Sequence, residues 1–215
     1  MTVTDLDLVN IAASCYDPSF VWDVSVNTPE GIWLRLKKLN GFNIIAFPGS
    51  STIQDWFEDF QAWTVDSRLG RVERGFFTGL ELAWERVKPH IDAPLLFTGH
   101  SLGAGRATLT TGLAVLDKFD VRGATLFGEP RSGMQPLNDI LASITGRSYR
   151  NRHDPVCNVP FRLPGFPYKH RWDLSGLDVA PLPDDPWGPL RDHHIQLYQT
   201  GVGGLSVLPS YDVGA

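Results

Sequence analysis

Apolar residues recur along this chain in two rhythms, one with the period of a helix and one with the period of a strand. Between Val3 and Cys15, the residues Leu6, Leu8, Val9, Ala12 and Ala13 share one helical stripe and predict a first helix. VWDVSV (21–26) and IWLRLKKL (32–39) alternate with period two, as half-buried strands do, and FNIIAF (42–47) is a continuous apolar run. The pair Asn40-Gly41 between the last two is a residue pair of tight hairpin turns. The sheet is therefore expected to begin with antiparallel strands.

The helical period returns from Thr52 to Trp63, with Ile53, Trp56, Phe57, Phe60 and Trp63 on one stripe, and again from Gly75 to Ile91. Pro94 stops it before LLFT (95–98), a short buried strand. Ser101 to Leu116 is helical in period and rich in small residues. RGATLF (122–127) reads as a strand, Pro136 to Ser143 as a helix, RSYR (147–150) as a strand and HHIQLYQT (193–200) as a last helix. The stretches 155–167 and 178–191 are Pro-rich and irregular. Alternating helix and strand in the middle of a chain predicts a mostly parallel central sheet with helices on both faces, an α/β fold. Neither a repeat nor a linker divides the 215 residues, so one domain spanning 1–215 is expected.

Composition narrows the function classes. A net charge of −5 without a basic run argues against a nucleic-acid partner. The cysteines Cys15 and Cys157 make no disulfide framework and read as two reduced, mostly buried thiols. The N-terminus has neither the basic nor the apolar segment of a secretory signal, and no run is long enough to span a bilayer. The cytoplasm is then the default compartment. Metal-ligand spacing and phosphate loops are absent, so neither metal nor cofactor is expected, and the sequence points to no partner protein.

The chemistry centres on LLFTGHSLGAG (95–105), which contains G-x-S-x-G. With 21 Gly and 13 Ser, random placement yields roughly 0.12 copies of that pattern in such a chain, so context must decide. The context is a buried strand followed by a helix of small residues, the setting in which such a serine becomes an exposed nucleophile. Gly99 and Gly103 remove side chains that a sharp turn would drive into neighbouring backbone. A serine needs a base and an orienting carboxylate, and in such sheets they follow it in the order acid, then histidine. Asp154 follows a strand and precedes Pro155. Asp173, Asp178, Asp184 and Asp185 are its competitors, the last two in a loop that reads as solvated surface. His153, His170, His193 and His194 are the downstream histidines.

Six blocks in order then resemble the fungal-type class 3 lipases, which are α/β hydrolases. They are FPGSSTIQDW (47–56), GFFTGL (75–80), FTGHSLGAG (97–105), LFGEPRSG (126–133), NRHDPV (151–156) and DHHIQLY (192–198). The resemblance spans roughly residues 40–200 and implies Ser101 as nucleophile, Asp154 as acid and His193 as base, with His194 the alternative. His193 fits the D-H-x-x-x-x-Y spacing that ends at Tyr198. The resemblance further implies Ser50 as an oxyanion donor beside the backbone N–H of Leu102, Gly49 allowing close approach, and Asp59, or alternatively Asp55, orienting the Ser50 hydroxyl. It makes the stripe Ile53, Trp56, Phe57 and Phe60 a lid or acyl-pocket wall that touches a lipid surface transiently.

The implied function is a serine esterase or lipase that cleaves lipid or smaller carboxylic esters through an acyl-enzyme. Polysaccharide or phenolic esters are the alternative substrates, and a silent binding protein on the same fold is the alternative class.

Overall fold

A computed structural model of the protein describes residues 1–50, 63–161, 167–181 and 184–214. Its centre is a seven-stranded sheet. The hairpin strands β2 (Val24–Asn27), β3 (Trp33–Leu39) and β4 (Phe42–Phe47) are antiparallel, as the sequence predicts. Asn40 and Gly41 at the β3–β4 turn both have positive φ, 50° and 81°, the backbone that an Asn-Gly hairpin turn requires. A two-stranded hairpin, β5 (Thr64–Ser67) with β6 (Gly70–Glu73), stands apart from this sheet.

Strands β7 (Leu95–His100), β8 (Val121–Phe127), β9 (Gly146–Asn151) and β10 (Leu174–Leu177) complete the sheet in parallel with β4. The order across it is β10-β9-β8-β7-β4-β3-β2.

Helix α1 (Asp5–Ser14) covers one face. On the other lie α2 (Arg74–Phe77), α3 (Leu80–Val87), α4 (Leu102–Leu116) and α5 (Gln135–Ile140), while α6 (Ile195–Gly203) returns to the face of α1. FNIIAF explains this division by itself. Ile45 and Phe47 enter the core with Leu80, Trp84 and Leu109, whereas Phe42, Ile44 and Ala46 pack with Leu8 and Ile11. A strand buried on both faces reads as continuously apolar for that reason.

The structure corrects several boundaries. Residues Thr2–Thr4 form β1, paired antiparallel with β11 (Ser210–Asp212), and the first helix starts only at Asp5. Thr4 accepts from the Asp7 N–H while the Asp7 carboxylate accepts from the Thr4 N–H, a capping box that sets the start. The helical period of 75–91 is broken at Gly79, whose φ of 80° ends α2 and begins α3. The predicted last helix begins at Ile195, and His193 closes a 3-10 turn, Gly188–His193, ahead of it. The sequence TVDSRLGRVE of the β5–β6 hairpin is too polar to show a strand period, and β10 is only four residues long. The helix expected over 52–63, with Ile53, Asp55, Trp56, Phe57, Asp59 and Phe60, lies outside the described residues except for Trp63.

Two polar clusters hold the helices to the sheet. Buried Asp5 accepts from Arg147 Nε at 2.6 Å and Nη2 at 2.7 Å, and from the Tyr149 and Thr125 hydroxyls, tying α1 to β8 and β9. Asp117, just past α4, accepts from Arg68 Nη1 at 2.5 Å, Trp84 Nε1 at 2.8 Å and Lys88 Nζ at 3.3 Å. The Arg68 bond foremost, with those from Trp84 and Lys88, holds its carboxyl far below the usual range against the effect of partial burial. A carboxyl depressed on folding contributes stability above its unfolded pKa of about 3.9, and that contribution is lost as pH falls below it. Asp117→Asn is therefore expected to cost about 1–2 kcal/mol at pH 7 after solvent screening. Urea melts should show the gap closing towards pH 3; an equal loss at both pH values would mean that charge is not the cause.

Candidate active site

The parallel strands end in register, Phe47 beside Gly99, Gly99 beside Leu126 and Phe127 beside Tyr149. The segments that follow them converge at one edge of the sheet, where open α/β sheets collect their functional groups. Ser101 sits between β7 and α4 at φ 60°, ψ −132°, a conformation that side chains rarely adopt. Its N–H donates to the Phe127 carbonyl at 3.0 Å. A Cβ at Gly99 would lie 2.5 Å from the Gly103 backbone, and one at Gly103 would lie 2.2 Å from the Phe47 carbonyl oxygen. The two glycines therefore let the turn close against β4. Leu102 is the first residue of α4, so its N–H has no intrahelical acceptor and faces the end of the helix where negative charge is favoured.

The segment after β4 brings Gly49 against this turn. A Cβ there would be 3.0 Å from Ser101 Cβ and 2.3 Å from the Tyr16 hydroxyl. The Gly49 N–H donates to that hydroxyl at 3.1 Å. Ser50 follows and lines the cavity that Ser101 lines.

The segments after β9 and before α6 supply a carboxylate and an imidazole. Asp154 Oδ2 accepts from His193 Nδ1 at 2.5 Å and from the Tyr198 hydroxyl at 2.5 Å, while Oδ1 accepts from the Val156 N–H at 2.9 Å. Burial pushes the Asp154 carboxyl up, but the His193 charge and these three bonds outweigh it and hold the carboxyl below its ordinary value. Burial and the adjoining carboxylate push the Tyr198 hydroxyl well up, so it stays a donor. Gly128, at φ 59°, passes so close that a Cβ would stand 2.7 Å from His193 Cε1. Of the two adjacent histidines, His193 alone meets Asp154. His194 Nε2 pairs instead with Asp185 Oδ2 at 2.7 Å and stacks on Trp187 with centroids 3.7 Å apart. Asp185 is thus a partner of His194, not the solvated residue its loop composition predicts.

Ser101 Oγ and His193 Nε2 are both buried, and neither has a hydrogen-bond partner among the described residues. Both residues line one cavity of about 210 Å³ together with Ser50 and Trp187. Because Nδ1 of His193 gives its proton to Asp154, Nε2 is left as the acceptor. The arrangement can accept a proton from a serine hydroxyl and keep the resulting imidazolium paired.

His100 supports this geometry from beneath. Its Nε2–H donates to the His193 carbonyl at 2.8 Å, its Nδ1 accepts from the Tyr16 hydroxyl at 2.8 Å, and its ring stacks on His193 with centroids 4.5 Å apart. Burial, followed by the charge of His193, holds its pKa well below the usual histidine value, so the ring stays neutral. Tyr16, His100, Gly128 and the hydroxyl of Tyr198 received no role from the sequence. His100, inside FTGHSLGAG, Gly128, inside LFGEPRSG, and Tyr198, inside DHHIQLY, carry a sequence signal; Tyr16 carries none and meets His100 from 84 residues away. His170 binds the Cys157 carbonyl at 2.9 Å and approaches Glu129 at 3.4 Å, away from these groups. Among the described residues, His, Cys, Asp and Glu do not gather in threes as a metal ion would need.

A family model for Lipase (class 3) matches residues 44–163, more than half of the chain. The chain belongs to the class 3 lipase family. As a member it is a serine hydrolase of carboxylic esters. Solved lipases share its fold at low sequence identity. The Rhizomucor miehei lipase in its propeptide complex is 20% identical, with a TM-score of 0.67 over 82% of this chain and 70% of that one. The lipase of Rhizopus microsporus var. chinensis is 18% identical, with a TM-score of 0.68 over 84% and 78%. The mono- and diacylglycerol lipase of Aspergillus oryzae is 21% identical, with a TM-score of 0.62 over 84% and 78%. This class 3 lipase brings the blocks around Ser50, Ser101, Gly128, Asp154 and His193 to one sheet edge, while GFFTGL packs into the core through Phe76, Phe77 and Leu80.

Proposed function

We propose that Ser101, His193 and Asp154 are the catalytic triad of this lipase, with the backbone N–H groups of Leu102 and Ser50 as the oxyanion donors. Two buried atoms without a partner among the described residues, Ser101 Oγ and His193 Nε2, on residues that line one small cavity, with His193 Nδ1 held by Asp154 at 2.5 Å, carry this reading. Ser101 Oγ attacks the ester carbonyl carbon as its proton passes to His193 Nε2. The tetrahedral oxyanion is held by the two N–H groups and the N-terminus of α4. Collapse breaks the bond to the alcohol, which leaves with the proton from His193. Water then gives a proton to His193 and attacks the acyl-serine, and the acid departs as Oγ regains its hydrogen. Asp154 keeps the imidazole in the tautomer that both steps need.

Acylglycerols or shorter acyl esters are the proposed substrates, in keeping with the diacylglycerol and triacylglycerol lipases that share the fold. Trp63 and Phe161, 62% and 65% exposed, offer apolar surface for a transient lipid contact. Ser101 is expected to be the single residue modified by a fluorophosphonate, as peptide mapping would show. On an ester panel graded by chain length, a rate jump at the solubility limit would mark a lipase working at an interface. A smooth curve favouring short chains would mark an esterase. Labelling at another serine would remove the triad assignment.

A further inference from the structure

A second cavity, of about 700 Å³, adjoins the oxyanion residues: Ser50 and Leu102 line it, and so does Arg106. Trp22 and Trp33 give it aromatic walls. Three charged residues line it, and two are already engaged. Asp17 accepts from the Ser19 N–H at 2.8 Å and hydroxyl at 2.6 Å. Arg35 donates through Nη1 to Asn27 Oδ1 at 3.0 Å and to the carbonyl of Leu34. Arg106 differs. Its Nε is buried without a hydrogen-bond partner, and its guanidinium forms no ion pair among the described residues. Glu73 acts on it electrostatically without closing to an ion pair, and the Glu73 carboxylate is already taken by the Phe76 N–H at 2.8 Å.

A guanidinium whose Nε is buried with its donor unused gains from an anion that completes it. Burial pushes Arg106 down to about 10, so it carries its charge at neutral pH. It stands four residues after Leu102 on α4, one helical turn or about 6 Å along the axis. An ester carbonyl held at Leu102 could therefore extend a chain of a few atoms to the guanidinium.

We infer that this cavity receives an oxyanion, a carboxylate or phosphate, carried by the ester substrate itself, with Arg106 as its counter-ion. Planar carboxylate and phosphate groups fit the fork of a guanidinium through two parallel bonds. The aromatic walls would pack the intervening chain. The inference deepens the triad reading and rests on it, because the oxyanion is placed relative to a carbonyl at Ser50 and Leu102.

The test compares substrates matched except for charge, in wild type, Arg106→Gln and Arg106→Lys. One pair, p-nitrophenyl pentanoate and mono-p-nitrophenyl glutarate, puts the charge on the acyl side. The other, 1-butyrylglycerol and 1-butyrylglycerol 3-phosphate, puts it on the alcohol side. In one of the two pairs, Arg106→Gln should lower the ratio of anionic to neutral kcat/KM by about 10- to 100-fold, through KM, with Arg106→Lys falling between. A ratio unchanged in both pairs, or an equal loss on charged and neutral esters, overturns the inference. If the wild type hydrolyses none of the four and escapes fluorophosphonate labelling, the triad reading fails separately. Titration calorimetry with glutarate and glycerol 3-phosphate then decides alone: heat that disappears in Arg106→Gln sustains the anion site, and no binding to the wild type removes it.

Discussion

Replacing Ser101 by alanine is expected to lower kcat on p-nitrophenyl butyrate by about 10⁴- to 10⁶-fold while leaving the melting temperature near that of the wild type. The size of the loss follows from the chemistry: without Oγ there is no acyl-enzyme, and what remains is the catalysis that the oxyanion donors and substrate positioning give to water. The fold should tolerate the change because Ser101 Oγ makes no hydrogen bond that the fold would lose. The positive φ of 60° is already present in the native turn, and alanine inherits that strain without adding to it. A variant that folds and retains more than about a hundredth of wild-type kcat would assign the nucleophile elsewhere.

The second large effect separates two adjacent histidines. His193→Asn should lose about 10⁴- to 10⁶-fold in kcat, whereas His194→Asn should stay within about tenfold of wild type. His193 is fully buried, and its Nδ1 lies 2.5 Å from Asp154. Its Nε2 is unpartnered among the described residues and lines the cavity that Ser101 lines. His194 lies with its Nε2 2.7 Å from Asp185 Oδ2 and its ring stacked on Trp187, so its loss should disturb the cavity wall and show in KM. Steady-state rates on one soluble ester, with circular dichroism to confirm folding, are sufficient. Comparable losses in both variants would show that the turn Gly188–His193 acts as a unit, not that one imidazole is the base.

The same pair shows where the sequence was legible and where it was not. The serine proposed as nucleophile was legible because the turn that carries it has local requirements. A strand, a sharp turn and a helix of small residues are written in eleven consecutive letters, and the clashes that Gly99 and Gly103 avoid are with backbone brought in by those same elements. The antiparallel start of the sheet was readable for the same reason: Asn40-Gly41 carries its turn in its own torsion angles. Asp154 and His193 followed from chain order and from the resemblance, which is a statement about spacing. Spacing favoured His193 over His194 through D-H-x-x-x-x-Y, but it could not show which of the two rings faces the carboxylate.

Direction is decided by packing. His193 faces Asp154 because its carbonyl is tied to His100, its ring stacks on the His100 ring, and Gly128 leaves space beside Cε1. Those contacts join segments separated by up to 93 residues, so no window of the sequence contains them. Tyr16 carries no signal in the sequence, yet it bridges the Gly49 N–H and His100. Asp185 looked solvated beside its prolines and is instead claimed by His194. The strands β5, β6 and β10 were missed because short polar segments show no period and form only when a partner supplies the other half of each hydrogen bond. By itself the sequence determined most of the helices and the longer strands, the antiparallel start of the sheet and the turn that carries Ser101, all consequences of local periodicity and backbone sterics. Tertiary structure alone decided which imidazole meets the carboxylate and which guanidinium has no ion pair among the described residues in the cavity beside them. Both are set by long-range packing and by where buried hydrogen bonds find partners.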